Sequence, residues 1–316
     1  MKKLIVITLL IVGYIAPGRS NESLTDIVKF ASVEEANKLL TQEDEYTNSW
    51  SQFDIDSRMQ QQNSSKEELF DFISKQTIAW TAEEKNEVLE IFKSIDAEIS
   101  KQGYTIKFPD DIYFIKTTLE EEGGAEAYTR ANYVVLKEKL LSQSKDQLKM
   151  IIIHELFHVL SRNNPEFRKE LYELIGFNLM NDVNYPDNLK AYRITNPDAP
   201  QTDNYITLTV DGEPKACMMI LYSNRDYSSG SFFDYLNVGF LSLTGDTNKT
   251  IEYKDDQPVI YNIQQVSGFF DQVGKNTQYI IHPEEILADN FAFVLLNKTD
   301  LPNPELVEKI KKVLQK

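Results

Sequence analysis

Between Ser144 and Pro165 the chain reads SKDQLKMIIIHELFHVLSRNNP, and no other stretch restricts the fold as much. Ser144 and Gln147, three residues apart, predict a capped helix start, and Asn163, Asn164 and Pro165 predict its stop. The helix so defined runs for about 18 residues, longer than the average helix of a globular domain. Its middle is apolar nearly all round, so it must be buried on several sides, with the rest of the chain built around it. The same buried stretch nevertheless carries His154, Glu155 and His158. Left without partners, such groups would each cost about 1–3 kcal/mol.

Four residues advance a helix by about 400 degrees, so His154 and His158 project from one face and can share an ion, while Glu155 reaches water beside it. This is the HExxH pattern of a zinc site. With three histidines and 49 acidic residues in 316, chance alone would place the pattern in about 0.4% of such chains. A catalytic zinc of this kind needs a third protein ligand and an open position. Downstream, HPEEILAD sets Glu285 and Asp289 on one helical face, with the small residues Ala288 and Ala292 on or near it to allow close approach. Glu285 is the leading candidate, with Glu284, Asp289 and His282 as substitutes. The helix dipole alone favours acids in a first turn, but Asp289 lies a full turn deeper.

HExxH followed on a later helix by ExxxD resembles the gluzincins, the thermolysin-like zinc metallopeptidases. The resemblance rests on these two short helices. It implies His154, His158 and Glu285 as zinc ligands, Glu155 as general base, and Asp289 as the carboxylate that orients a ligand imidazole. It also implies that the strand before the active helix, here Tyr128 to Leu136, lies along the cleft and pairs with extended substrate. Thr129, Arg130, Ala131 and Asn132 are then substrate-contact candidates, and His282 is a further one. Two features depart from the family pattern. The interval from His158 to Glu285 is 127 residues, and Glu284 stands where the family usually has asparagine.

The remaining chain sets the context. Lys2 and Lys3 precede a thirteen-residue apolar run, Leu4 to Ala16, that ends at Pro17 and Gly18. A membrane-spanning helix needs about 20 apolar residues, so residues 1–20 read as a signal peptide of a secreted or periplasmic protein, with no stable membrane insertion after cleavage. A formal charge of −16 argues against nucleic acid as a partner. The single cysteine, Cys217, permits no internal disulfide and reads as a small buried hydrophobe.

The pattern predicts an α+β fold with a zincin-like catalytic core, its active-site helix beside a small β-sheet, plus a β-rich insertion and C-terminal helices. The expected divisions are a mostly helical region over 21–105, whose polar lead-in to residue 63 is weakly patterned, a core over 106–182, a β-rich lobe over 183–275, and C-terminal helices over 276–316. Ile112–Thr117 and Tyr128–Leu136 read as two antiparallel strands. The expected function is a metallopeptidase with one catalytic Zn2+, acting on protein or peptide, an endopeptidase rather than an aminopeptidase. The competing expectations are a catalytically silent binding protein and a zinc hydrolase of non-peptide amides. For an oxyanion donor, Tyr205, Tyr222, Tyr261, Arg162 and His282 qualify chemically.

Overall fold

The computed structural model describes residues 23–316; the expected signal peptide lies outside them. From residue 23 onward the polar lead-in forms regular elements. A short strand, β1 (Val28–Phe30), precedes helices α1 (Val33–Leu40), α2 (Glu45–Asn48) and α3 (Gln52–Met59). Each helix starts on a capping box, Ser32 with Glu35, Asp44 with Thr47 and Ser51 with Asp54, so local hydrogen bonds stabilise segments too short to show an apolar period. Helices α4 (Lys66–Ser74) and α5 (Ala82–Gln102) follow, then strands β2 (Ile112–Thr117), β3 (Ala127–Arg130) and β4 (Tyr133–Lys137).

These strands form a sheet in the order β1-β2-β4-β3. The predicted strand Tyr128–Leu136 is in fact a hairpin, turned at Ala131 and Asn132, with Ala131 at φ 47°. Strand β2 pairs with β4 in parallel, not antiparallel, because the hairpin reverses the chain before β4 arrives beside it. Side chains alternate across the sheet. Ile112, Phe114, Val134 and Leu136 face the main core, while Ile115, Tyr133 and Val135 pack with α1 and α4. Both faces are thereby covered.

Helix α6 (Lys145–Asn163) carries the HELFH residues and α7 (Pro165–Leu174) follows it directly. Ser144 Oγ accepts the Gln147 backbone N–H at 3.3 Å and donates to the Gln147 side chain at 3.0 Å, closing the start of α6. Leu148, Ile152, Ile153, Leu156, Phe157, Val159 and Leu160 of this helix are all buried.

The chain then enters a second, antiparallel sheet. It contains β5 (Phe177–Leu179), then, after helix α8 (Asp187–Lys190), β6 (Asn204–Val210), β7 (Glu213–Tyr222) and β8 (Asn237–Thr244). The small strands β9 (Thr250–Ile251), β10 (Tyr253–Lys254), β11 (Gln257–Pro258) and β12 (Ile260–Tyr261) complete this region. One face of the sheet, with Ile206, Leu208, Cys217, Met219 and Phe240, belongs to the main core. Burial pushes the Cys217 thiol up to about 12, consistent with an unreactive packing residue.

After α9 (Phe269–Val273), helix α10 (Pro283–Leu295) packs against α6 and against the last helix, α11 (Pro304–Leu314). Ala288 and Ala292 are fully buried, and the absence of larger side chains there lets α10 approach closely. The fold is α+β. No helix among the described residues is long and apolar enough to cross a membrane.

Candidate metal centre

Helices α6 and α10 cross so that His154, His158 and Glu285 converge, with one donor atom from each lying within 4.8 Å of the others. Glu285 Oε2 is 3.0 Å from His154 Nε2 and 3.5 Å from His158 Nε2. A tetrahedral ion with ligand bonds of 2.0–2.1 Å has edges of about 3.3–3.4 Å, so these separations suit a zinc-sized cation. His158 supplies an independent observation: its Nε2 is completely buried and makes no hydrogen bond. Its nearest carboxylate oxygen is that of Glu285 at 3.5 Å, and a buried nitrogen that makes no hydrogen bond is costly unless something binds it.

The other ring nitrogens are oriented by carboxylates. Asp289 Oδ1 lies 2.9 Å from His154 Nδ1, and Thr277 donates to the other Asp289 oxygen. Glu284 Oε1 lies 3.5 Å from His158 Nδ1. Glu284 also accepts from Ser161 and from the Tyr172 hydroxyl, the latter at 2.6 Å. Each imidazole therefore presents Nε2 inward while a carboxylate faces Nδ1, the arrangement that orients metal-bound histidines. Glu284, expected as a possible ligand, stands behind His158 instead.

The sequence signals did not reveal three other neighbours. Asp198 groups with Glu155 and His158, its carboxylate within 4.8 Å of both. Asn196 donates to Glu285 Oε1 at 2.6 Å. Both come from the loop after α8, where no periodicity or motif marks them. Tyr279, six residues before Glu285, lies with its ring 6.2 Å from that of His154. Its position could be suspected from proximity in sequence, but not its orientation.

Burial and charge set the protonation of the centre. Burial opposes charging of His154, but hydrogen bonds with Asp289 and Glu285 overcome it and raise the imidazole to about 10. His158 is likewise resisted by burial and raised by Asp198, Glu285 and Glu284. Burial raises the Glu155 carboxyl above the ordinary carboxylate range, against the pull of the two histidines. For Glu285 the histidines outweigh burial and hold it well below that range. Although Tyr279 is 45% exposed, desolvation among the surrounding groups, helped by Glu285, Asp198 and Glu155, lifts its phenol well above the usual value, so it stays a hydrogen-bond donor.

A cleft of about 740 Å³ runs past these groups, lined by Ala125, Glu126 and Ala127 on one side, by Gln147, Met150 and Ile151 of α6, and by Phe233 and Tyr279. None of Thr129, Arg130, Ala131 and Asn132 lines it. Thr129 instead donates to Glu155 Oε2 at 2.6 Å and so holds the acid. Arg130 is buried on Asp44 at 2.8 Å, and Asn132 donates to the Asp111 carbonyl at 3.0 Å. The hairpin turn directs these residues to structural partners, leaving the stretch before β3 to face the cleft.

His282, expected to contact substrate, caps α10: its Nδ1 accepts the Glu284 backbone N–H at 3.2 Å. Burial lowers its imidazole to about 4, leaving that nitrogen free to accept. Arg162 donates to the carbonyls of Ala131, Pro197 and Asp198. Tyr205, Tyr222 and Tyr261 do not line the cleft. Comparison of the chain with protein-family models, with curated proteins and with solved structures found no match.

Proposed function

We propose that this chain is an exported zinc metallopeptidase with a gluzincin-like pair of active-site helices. The observation that carries the reading is the meeting of His154, His158 and Glu285 within 4.8 Å, with a buried His158 nitrogen that makes no hydrogen bond among them. His154 Nε2, His158 Nε2 and a Glu285 oxygen would hold the ion. A zinc ion there would lower the pKa of a bound water from 15.7 toward about 7 and polarise a carbonyl oxygen.

Glu155 is the proton carrier. Desolvated and braced by Thr129, it accepts a proton from the attacking water and returns it to the amide nitrogen as the carbon–nitrogen bond breaks. Tyr279 lines the same cleft and can donate its phenol hydrogen to the oxygen on which negative charge develops. Asp289 and Glu284 hold the two imidazoles, and Asn196 holds Glu285. Export rests on the apolar run that begins the sequence.

Zinc content and peptide turnover of Glu155→Gln and Glu285→Ala proteins test the proposal. The first should retain zinc and lose about 10²–10⁴-fold in turnover. The second should lose zinc. Unchanged turnover in Glu155→Gln would overturn the mechanism. A zinc-loaded wild-type protein that cuts no peptide would point to a binding protein, or, if it cuts other amides, to a different hydrolase.

A further inference from the structure

Five large apolar side chains are exposed among the described residues, and two of them, Phe233 and Tyr279, stand on the cleft wall. A smaller cavity of about 60 Å³ adjoins the cleft there and shares Ala125, Ala127, Asp198, Phe233 and Tyr279 with it. Asp198 also groups with Glu155 and His158, so the shared end of the cavity lies beside the reacting centre. The rest of its wall is mainly apolar, with Ile194, Leu221, Phe232, Leu236 and Ile281. The Phe232 ring packs closely on Gly123, where an added Cβ would come within 2.6 Å of it.

Arg58 and Glu122 also line the cavity, but neither has a charge to offer a ligand. The Arg58 guanidinium is spent on Glu122, Asp54 and the Thr195 carbonyl. One Glu122 oxygen takes Arg58 and the other takes the Tyr46 hydroxyl. An acidic side chain entering the cavity would therefore be desolvated beside the Asp198 carboxylate with no free cation to pair with. One water needs about 10–15 Å³ of such volume, so the space suits roughly four to six heavy atoms. Leucine, isoleucine and methionine side chains, with four heavy atoms each, fit that size, and the seven-atom benzyl side chain of phenylalanine exceeds it.

We propose that this cavity is the specificity subsite of the enzyme and takes a compact apolar side chain, of leucine, isoleucine or methionine size, from the residue flanking the scissile bond. The inference rests on reading the neighbouring centre as a peptidase. The test is a peptide-library cleavage profile of the full-length, zinc-loaded protein, compared with Ala125→Leu, which narrows the cavity, and Leu236→Ala, which enlarges it. The wild type should prefer leucine, isoleucine or methionine at one flanking position by ten-fold or more over glycine, glutamate and phenylalanine. Ala125→Leu should cut the leucine-to-alanine preference ten-fold or more, and Leu236→Ala should raise the phenylalanine-to-leucine ratio by a similar factor. Such ratios do not depend on how much of a preparation is folded. Cleavage led by a charged residue, or a profile unmoved by both variants, overturns the subsite while the peptidase reading stands. Failure of the zinc-loaded wild type to cleave any peptide overturns both.

Discussion

Two clusters of buried charge flank the loop that runs from Ile194 to Asp198, and they are completed in opposite ways. Around Arg58, the Asp54 carboxylate takes Arg58, Ser51 and Thr195, while Glu122 takes Arg58 and Tyr46. The aromatic rings of Tyr46 and Phe232 lie 5.8 and 5.1 Å from the guanidinium carbon. This cluster leaves its charges nothing further to bind. Around His158, by contrast, five carboxyl groups (Glu155, Asp198, Glu284, Glu285 and Asp289) surround two imidazoles, and one buried nitrogen makes no hydrogen bond. Burial of charge is therefore not what distinguishes a site from a scaffold. An incomplete set of partners, with an excess of one sign, does.

The largest expected effect breaks the closed cluster. Arg58→Met would leave Asp54 and Glu122 buried without their cation, and should cost about 3–5 kcal/mol in urea unfolding. A loss under about 1 kcal/mol would mean that the network contributes little. The open cluster should respond to the ion instead. Zinc at 1,000 times its Kd should stabilise the wild type by about 4 kcal/mol, and His158→Ala should abolish that gain in thermal melts. Equal stabilisation of both proteins would place the binding elsewhere.

Glu121, beside the closed cluster, sharpens the contrast because it is an exception there: its Oε2 is buried and unpartnered, and burial raises its carboxyl to about 7. The folded chain then keeps this proton up to about pH 7, whereas the unfolded chain releases it near 4.5. Between these values the folded state binds more protons, so stability falls as pH rises, and the loss is complete above about pH 7. Glu121→Gln should recover up to ~3 kcal/mol at pH 8 and nothing below pH 4.5. A pH-independent difference in unfolding free energy would refute that account. The smallest effect is expected at Glu284. Glu284→Gln keeps the shape but weakens the hold on His158, and should reduce zinc affinity about 10–100-fold in a competition titration with a chelator.

Much of this arrangement could be read from local pattern. The capped, all-apolar helix around HELFH and the Pro283 helix with its deep Asp289 are local features, set by caps, side-chain spacing and proline. The side chains that share a helical face follow from 3.6 residues per turn, so His154 and His158 had to project together, as did Glu285 and Asp289. The lead-in was less legible, because helices of four to eight residues are held by caps and tertiary packing rather than by a long apolar period. The strand over Tyr128–Leu136 misled for a related reason. A two-residue turn through Ala131, with no glycine at the left-handed position, leaves no mark in a β-branched, aromatic run.

The amino-acid order by itself determined which side chains share a helical face and where the helices start and stop, since caps and periodicity act over a few residues. Only the tertiary structure decided that α6 and α10 meet, that Asp198 and Asn196 join them from a distant loop, and that Thr129 holds Glu155 instead of lining the cleft. These are contacts between groups many residues apart, and they depend on how whole elements pack. A nitrogen such as His158 Nε2 is left without a hydrogen bond by that packing, not by its neighbours along the chain.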